Sequence, residues 1–208
     1  LNYTYRDQDV NIFKEAVEHL CSLNYKVIRM GRDMEKKLDV QHPNFFDYAF
    51  SNQRSDFLDI FLIKACYFAI STGTGLDNVC SLFRKKILLI NHGDLILMNY
   101  LNKNISLFYP KRFFYLSNNE ELNILDIQKK ISENSDITEG QEFLKKLNIG
   151  YKNIDSNKIK NACVEMIDYL ENGPGLEAIE LNKKINDQFL NKYNLHFKIN
   201  FCKSYLKS

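Results

Sequence analysis

The sequence predicts an α/β protein, a parallel sheet with helices on both faces. Three observations carry that expectation. Helical and strand patterns alternate over the first two-thirds of the chain at the spacing of strand–helix–strand units. The run "KILLIN" is continuously apolar, as strands covered on both faces are. Glycine-bearing stops, Gly31 and the "TGTG" turn, come directly after strand-like runs.

In chain order, "DVNIFKEAVEHLCSLN" places Val10, Phe13, Val17 and Leu20 at near-helical spacing, with Ala16 and Cys21 widening the stripe. "YKVIRMG" then reads as a short strand stopped by Gly31, and "FFDYAF" as a second candidate strand. "RSDFLDIFLIKAC" reads as a helix, capped by Ser55 and with Asp56 at the positive end of its dipole. "YFAIS" is a buried-type strand, followed by the glycine turn, the helical "LDNVCSLFRK" and the strand "KILLIN". Crossovers between parallel strands should be right-handed. From about residue 95 the pattern loosens, through the aromatic "SLFYPKRFFYL" and the polar "NSDITEGQEF". Helices at 157–172 and 175–193, separated by the breaker "NGPG", close the chain. The expected organisation is a sheet domain over residues 1–150 with a helical segment, 151–208, packing on it.

Composition sets limits on function. A chain of 208 residues with 45% hydrophobic and 26% charged residues can bury a full core without disulfides. A net charge of +2 offers no dense basic stripe for nucleic acid, and "FRKKILL" and "FLKKLNIG" read as solvated helix ends. Five cysteines without a C-x-x-C pair argue against a disulfide framework and a zinc site, and suit a reducing cytosol. Neither a signal peptide nor an apolar run of 18 residues is present. The start at Leu1, without methionine, suggests a fragment.

The loop Ser71-Thr72-Gly73-Thr74-Gly75 is the first place where chemistry can sit. In open parallel sheets ligands bind at the carboxyl ends of strands, where backbone amides and a helix start can hold phosphate. The alternative is a tight turn with no ligand. "GTGLDN" nearly matches the dinucleotide fingerprint but ends in Asn78, and it follows the third candidate strand rather than the first; Asp94 lies about where a ribose-binding acid would. A P-loop is excluded because no G-K-[ST] occurs. Arg29, in "VIRMG", stands at a strand end where its fork can grip a pyrophosphate or pair with a carboxylate such as Asp47. Asp56 and Asp59 share one helix face, as a base with its orienter, as sugar ligands, or as compensation for the helix dipole. Of the histidines only His92 stands at a strand end, where a structural role is expected. No H-E-x-x-H, DxD-type pair or G-x-S-x-G occurs, so no metal and no serine hydrolase chemistry are expected.

"YRDQD", "VIRMG", "DYAFSNQRSDFLDIFLIKACYFAIST", "TGTGL", "ILLIN" and "FYPKRF" together resemble a group of bacterial glycosyltransferases. That group's pattern runs Y-R-N-x-D, V-x-R-M-G, D-Y-A-x-S-x-x-R-S-D-F-x-D, then a strand and a T-x-S-G-L loop. "NIDSNKIKNACVEMIDYL" and "NKKINDQFLNKYN" are similar to its late segments, so the resemblance covers nearly the whole chain. Asp7 in place of asparagine and Thr74 in place of serine are mild departures.

The resemblance implies a Rossmann-like domain, the donor-binding C-terminal half of a two-domain GT-B glycosyltransferase. It implies that Arg6, Arg29, Gly31, Arg54, Ser55 and the loop Ser71, Thr72, Gly73, Thr74 and Gly75 bind the substrate, Arg29 and Arg54 meeting the donor diphosphate and the loop supplying amides, with Asp56 as the catalytic or sugar-fixing carboxylate. No cofactor or metal is implied; the ligand is a nucleotide-diphosphate sugar and the acceptor a surface glycan or lipid-linked molecule. An N-terminal domain or an oligomeric partner would complete the enzyme. A cytoplasmic location follows, with peripheral attachment at the inner membrane face as its variant. A nucleotide-sugar epimerase or hydrolase of the same fold, and a non-catalytic nucleotide-sugar-binding module, are the alternatives.

Overall fold

A computed structural model describes residues 8–92, 105–133, 140–193 and 200–207. The fold is mixed α/β. Asp9 caps a short 3-10 turn over Val10–Phe13, its carboxylate accepting the Asn11 amide at 3.0 Å, and helix α1 (Lys14–Ser22) continues from it. Strands β1 (Val27–Ile28) and β2 (Phe45–Phe46) form a parallel pair. The second candidate strand is therefore only two residues long, because the chain turns into a 3-10 helix at Tyr48–Phe50.

Helix α2 (Asp56–Ala65) starts where its cap predicts: the Ser55 hydroxyl accepts the Leu58 amide at 3.2 Å. Strand β3 (Phe68–Ser71), helix α3 (Leu76–Leu82) and strand β4 (Lys86–His92) follow, then β5 (Ile105–Pro110). These strands form a parallel sheet in the order β3-β4-β5. Strand β4 is central and, after Lys86, buried throughout. Its side chains alternate between two cores, as period-2 geometry requires. Leu88 and Ile90 join Leu107 and Tyr109 against α1 and α6 (Ser156–Asn172), through Ala16, Leu20, Ile159 and Cys163. Ile87 and Leu89 join Phe108 on the other face, against Ile63 of α2 and Cys80 of α3.

The region after residue 110, where the sequence pattern loosens, holds a second sheet that the pattern does not reveal. Strands β6 (Arg112–Tyr115), β7 (Glu121–Leu122) and β8 (Ile149–Lys152) pair antiparallel in the order β7-β6-β8. Helices α4 (Ile124–Glu133) and α5 (Gly140–Lys146) lie between β7 and β8 in the chain. Phe113, Ile127, Leu144 and Ile149 of this unit share the core of Leu89 and Phe108.

Helix α7 (Leu176–Tyr193) follows the "NGPG" break, and the short α8 (Lys203–Leu206) ends the described chain. Residues beside α8 are tied into the fold from three sides. Phe201 bridges Phe108 of β5 in parallel; Asn182 of α7 clamps both backbone groups of Phe201, at 2.7 and 3.0 Å. Glu165 of α6 accepts the Lys203 and Ser204 amides.

Candidate functional site

The carboxyl ends of the three parallel strands bring polar side chains together at the rim of an apolar core. Strand β3 ends at Ser71, β4 at Asn91 and His92, and β5 at Pro110, with Lys111 next; Ser71, Asn91, His92 and Lys111 are all buried, as is Asp77 in the first turn of α3. Contacts order them in a row. The Thr72 carbonyl lies 3.4 Å from His92 Nδ1, and the Lys111 amide donates to the His92 carbonyl at 3.4 Å. The Lys111 ammonium donates to Asn153 Oδ1 at 2.7 Å and sits over the Tyr151 ring, 4.8 Å from its centre.

The glycine loop is shaped mostly from within. The Gly73 amide donates to Ser71 Oγ at 3.2 Å, and the Thr74 amide to Asp77 Oδ2 at 3.0 Å. Gly73 has φ +94°, and a Cβ placed there would fall 2.2 Å from His92 Nδ1. A glycine is required there because a buried imidazole packs against the loop. Gly75 differs: its φ is −59° and a Cβ would meet nothing within 4 Å. Among the described residues, the Gly75 and Leu76 amides have no acceptor. They are the donors this loop can offer an anion. Helix α3 has only seven residues, so its dipole adds little beyond those amides.

Burial pushes the Asp77 carboxyl above its usual range, against the opposing pull of the Ser71 hydroxyl, the Thr74 amide and the nearby His92. Asn91 adopts φ +51°, a left-handed conformation that asparagine tolerates better than most residues. It is held there by the Ile154 amide, 2.8 Å from its Oδ1, and by Gln8. The β4–β5 register shifts beside it, between Ile90 and His92.

The arginines stand in other company. Arg29 donates to Asp47 Oδ2 at 3.1 Å and to the Lys36 carbonyl at 2.7 Å, and its guanidinium lies over the Phe50 ring. This is the carboxylate pairing the sequence left open. Arg54 donates to Asp59 Oδ2 at 2.7 Å and approaches Asp56 only to 3.8 Å. No hydrogen bond or ion pair among the described residues joins either arginine to the 71–75 loop. Asp56 is 91% exposed, a carboxylate in water at the start of α2. Ser55 serves as that helix's cap, and its backbone amide and carbonyl meet the Tyr48 hydroxyl. Gly31, past the end of β1, packs beside Met34. Arg6, Asp7 and Asp94 lie outside the described residues.

Asp77, Asn91, Lys111 and Asn153 escaped the sequence reading. One signal was present: Lys111 interrupts the aromatic run "LFYPKRFFY" directly after a proline, where a strand ends. The cysteines add no nucleophile; burial pushes the Cys80 and Cys163 thiols up to about 12. Among the described residues no three His, Cys, Asp or Glu side chains converge as a metal site. Comparison with protein-family models, curated proteins and solved structures finds no match for this chain.

Proposed function

We propose that this chain is the donor-binding half of a metal-independent, GT-B-type glycosyltransferase, with the diphosphate of a nucleotide-sugar at the 71–75 loop. The sugar would pass to a surface glycan or lipid-linked acceptor in the cytoplasm, with nucleotide diphosphate leaving. One observation carries the reading: the carboxyl ends of three adjacent parallel strands carry Ser71, His92 and, one residue on, Lys111, and the loop that starts at Ser71 has two uncommitted amides. Such an edge is where open α/β sheets hold ligands, and free backbone amides suit a phosphate. Within this reading the loop and Lys111 take the diphosphate, while Arg29 and Arg54 brace the segment between β2 and α2 through Asp47 and Asp59.

The exposure of Asp56 favours the second reading, a nucleotide-sugar-binding module that lacks its own base. A general base works best when burial or neighbours bring its pKa near the working pH, and a solvated carboxylate has neither. Donor hydrolysis or transfer by the purified chain would support the transferase and exclude the module.

Melting the protein in saturating UDP, GDP, CMP and their sugars tests both. A ligand at one hundred times its Kd stabilises by about 2.7 kcal/mol, a rise of roughly 5–11 °C for a chain this size. Gly75→Glu fits the open space at that position and sets a carboxylate against the phosphate. It should abolish the rise while leaving the ligand-free melt intact. No rise with any nucleotide overturns the proposal.

A further inference from the structure

We propose that the outer face of α2, together with the turn after α3, docks on a bilayer surface that carries anionic lipid. Helix α2 is apolar on both sides. Ile63 faces the core, while outward it shows Phe57 at 74% exposure and Phe61 at 51%, their rings stacked 6.3 Å apart, with Ile60 between them. A helix apolar all round ordinarily lies under cover. The neighbouring α3 turn adds Leu82, exposed by 77%.

The chain segment that carries this face is basic. Between Ile60 and His92 the chain carries Lys64, Arg84, Lys85 and Lys86, and its one acid there, Asp77, is buried. Lys85 fastens the basic turn to α2 by donating to the Cys66 carbonyl at 2.8 Å, and Lys86 pairs in register with Phe68. Lys64, Arg84 and Lys86 are exposed and have no carboxylate partner among the described residues. The acids of α2, Asp56 and Asp59, stand at its opposite end beside Arg54.

Exposed aromatic and leucine side chains rimmed by lysine and arginine match the interface of an anionic membrane, where apolar insertion and headgroup attraction add. A second copy fits less well. A two-fold contact through this face would set Lys64, Arg84 and Lys86 against the same three cations of the other copy. The basic end lies at the amino edge of the parallel sheet, away from the 71–75 loop, so the inference stands apart from the donor site.

The test is co-sedimentation of the full chain with vesicles of phosphatidylcholine alone and with one-quarter phosphatidylglycerol. Binding to the anionic vesicles should be at least about tenfold tighter and should fall in high salt. Phe57→Ser/Phe61→Ser should weaken it about tenfold, and Lys64→Glu/Arg84→Glu/Lys86→Glu should remove the lipid preference. All five positions are exposed, so circular dichroism melts of both variants should match the parent. Equal pelleting with neutral and anionic vesicles overturns the proposal, as does binding that neither variant alters. A dimer in sedimentation velocity that Phe57→Ser/Phe61→Ser dissolves would also overturn it, by assigning the face to a second copy.

Discussion

Gly73→Ala probes the packing of the candidate site most directly. The alanine Cβ would lie 2.2 Å from Nδ1 and 2.6 Å from Cε1 of His92, at a backbone φ of +94°. Two costs arise. Holding a side chain at such a φ costs about 1–3 kcal/mol. The overlap with a ring only 2% exposed forces a shift in a packed region, for a further ~1–3 kcal/mol. The sum, about 2–6 kcal/mol, lowers the melting temperature by roughly 4–24 °C for a chain of 208 residues. Gly75→Ala serves as the control: with open space and φ −59°, it should be neutral or stabilise by about 0.4–1 kcal/mol. Urea unfolding of both variants, with Gly73→Ala repeated in a His92→Ala background, separates the two costs. The overlap part should vanish in that background, a coupling of about 1–3 kcal/mol, while the φ part remains. Coupling below about 0.5 kcal/mol, or equal behaviour of the two glycines, would refute the claim that His92 dictates Gly73.

Asp77 gives a pH dependence. Burial raises its carboxyl in the folded state, so the folded protein holds that proton more tightly than the unfolded chain. The resulting stability is fully present below the ordinary value of 3.8 and is lost as pH rises through the raised folded value. Asp77→Asn removes this slope, so its stability relative to the parent should improve from acid to neutral pH; parallel curves in urea would contradict the burial argument. Arg29→Ala leaves the Asp47 carboxylate, only 14% exposed, without its cation and should cost about 1–3 kcal/mol by chemical denaturation. Arg29→Lys should recover part of that loss, since one ammonium cannot hold both Asp47 and the Lys36 carbonyl so well. Asn182→Ala strands the buried amide and carbonyl of Phe201, for about 2–6 kcal/mol, and should speed hydrogen exchange at Phe201 and Cys202 before the sheet itself melts.

Much of the first half of the fold was legible in the sequence, because its signals are local. The Ser55 cap and the apolar run of α2, the glycine stop after β3, and the unbroken "KILLIN" of a doubly covered strand each act within a few residues. The antiparallel sheet was hidden because β7 has two residues and its partner β8 joins β6 across two intervening helices. Register of that kind is settled by cross-strand packing of Phe113, Leu122 and Tyr151, and no short window contains all three.

The candidate site divides in the same way. From the sequence alone, the 71–75 loop belongs at the carboxyl end of a parallel strand, since strand, glycines and helix start are consecutive. Only the tertiary structure decided which groups share that edge. Lys111 and Asn153 are far from the loop in sequence and reach this edge because β5 lies beside β4 and because Asn91 holds the Ile154 amide. It also decided the partners of Arg29 and Arg54: a guanidinium at a strand end can grip a phosphate or a carboxylate, and Asp47 and Asp59 lie within 3.1 and 2.7 Å. Sequence determines which chemistry a segment carries; the partner it meets is set by packing distances that arise only when separate segments share one core.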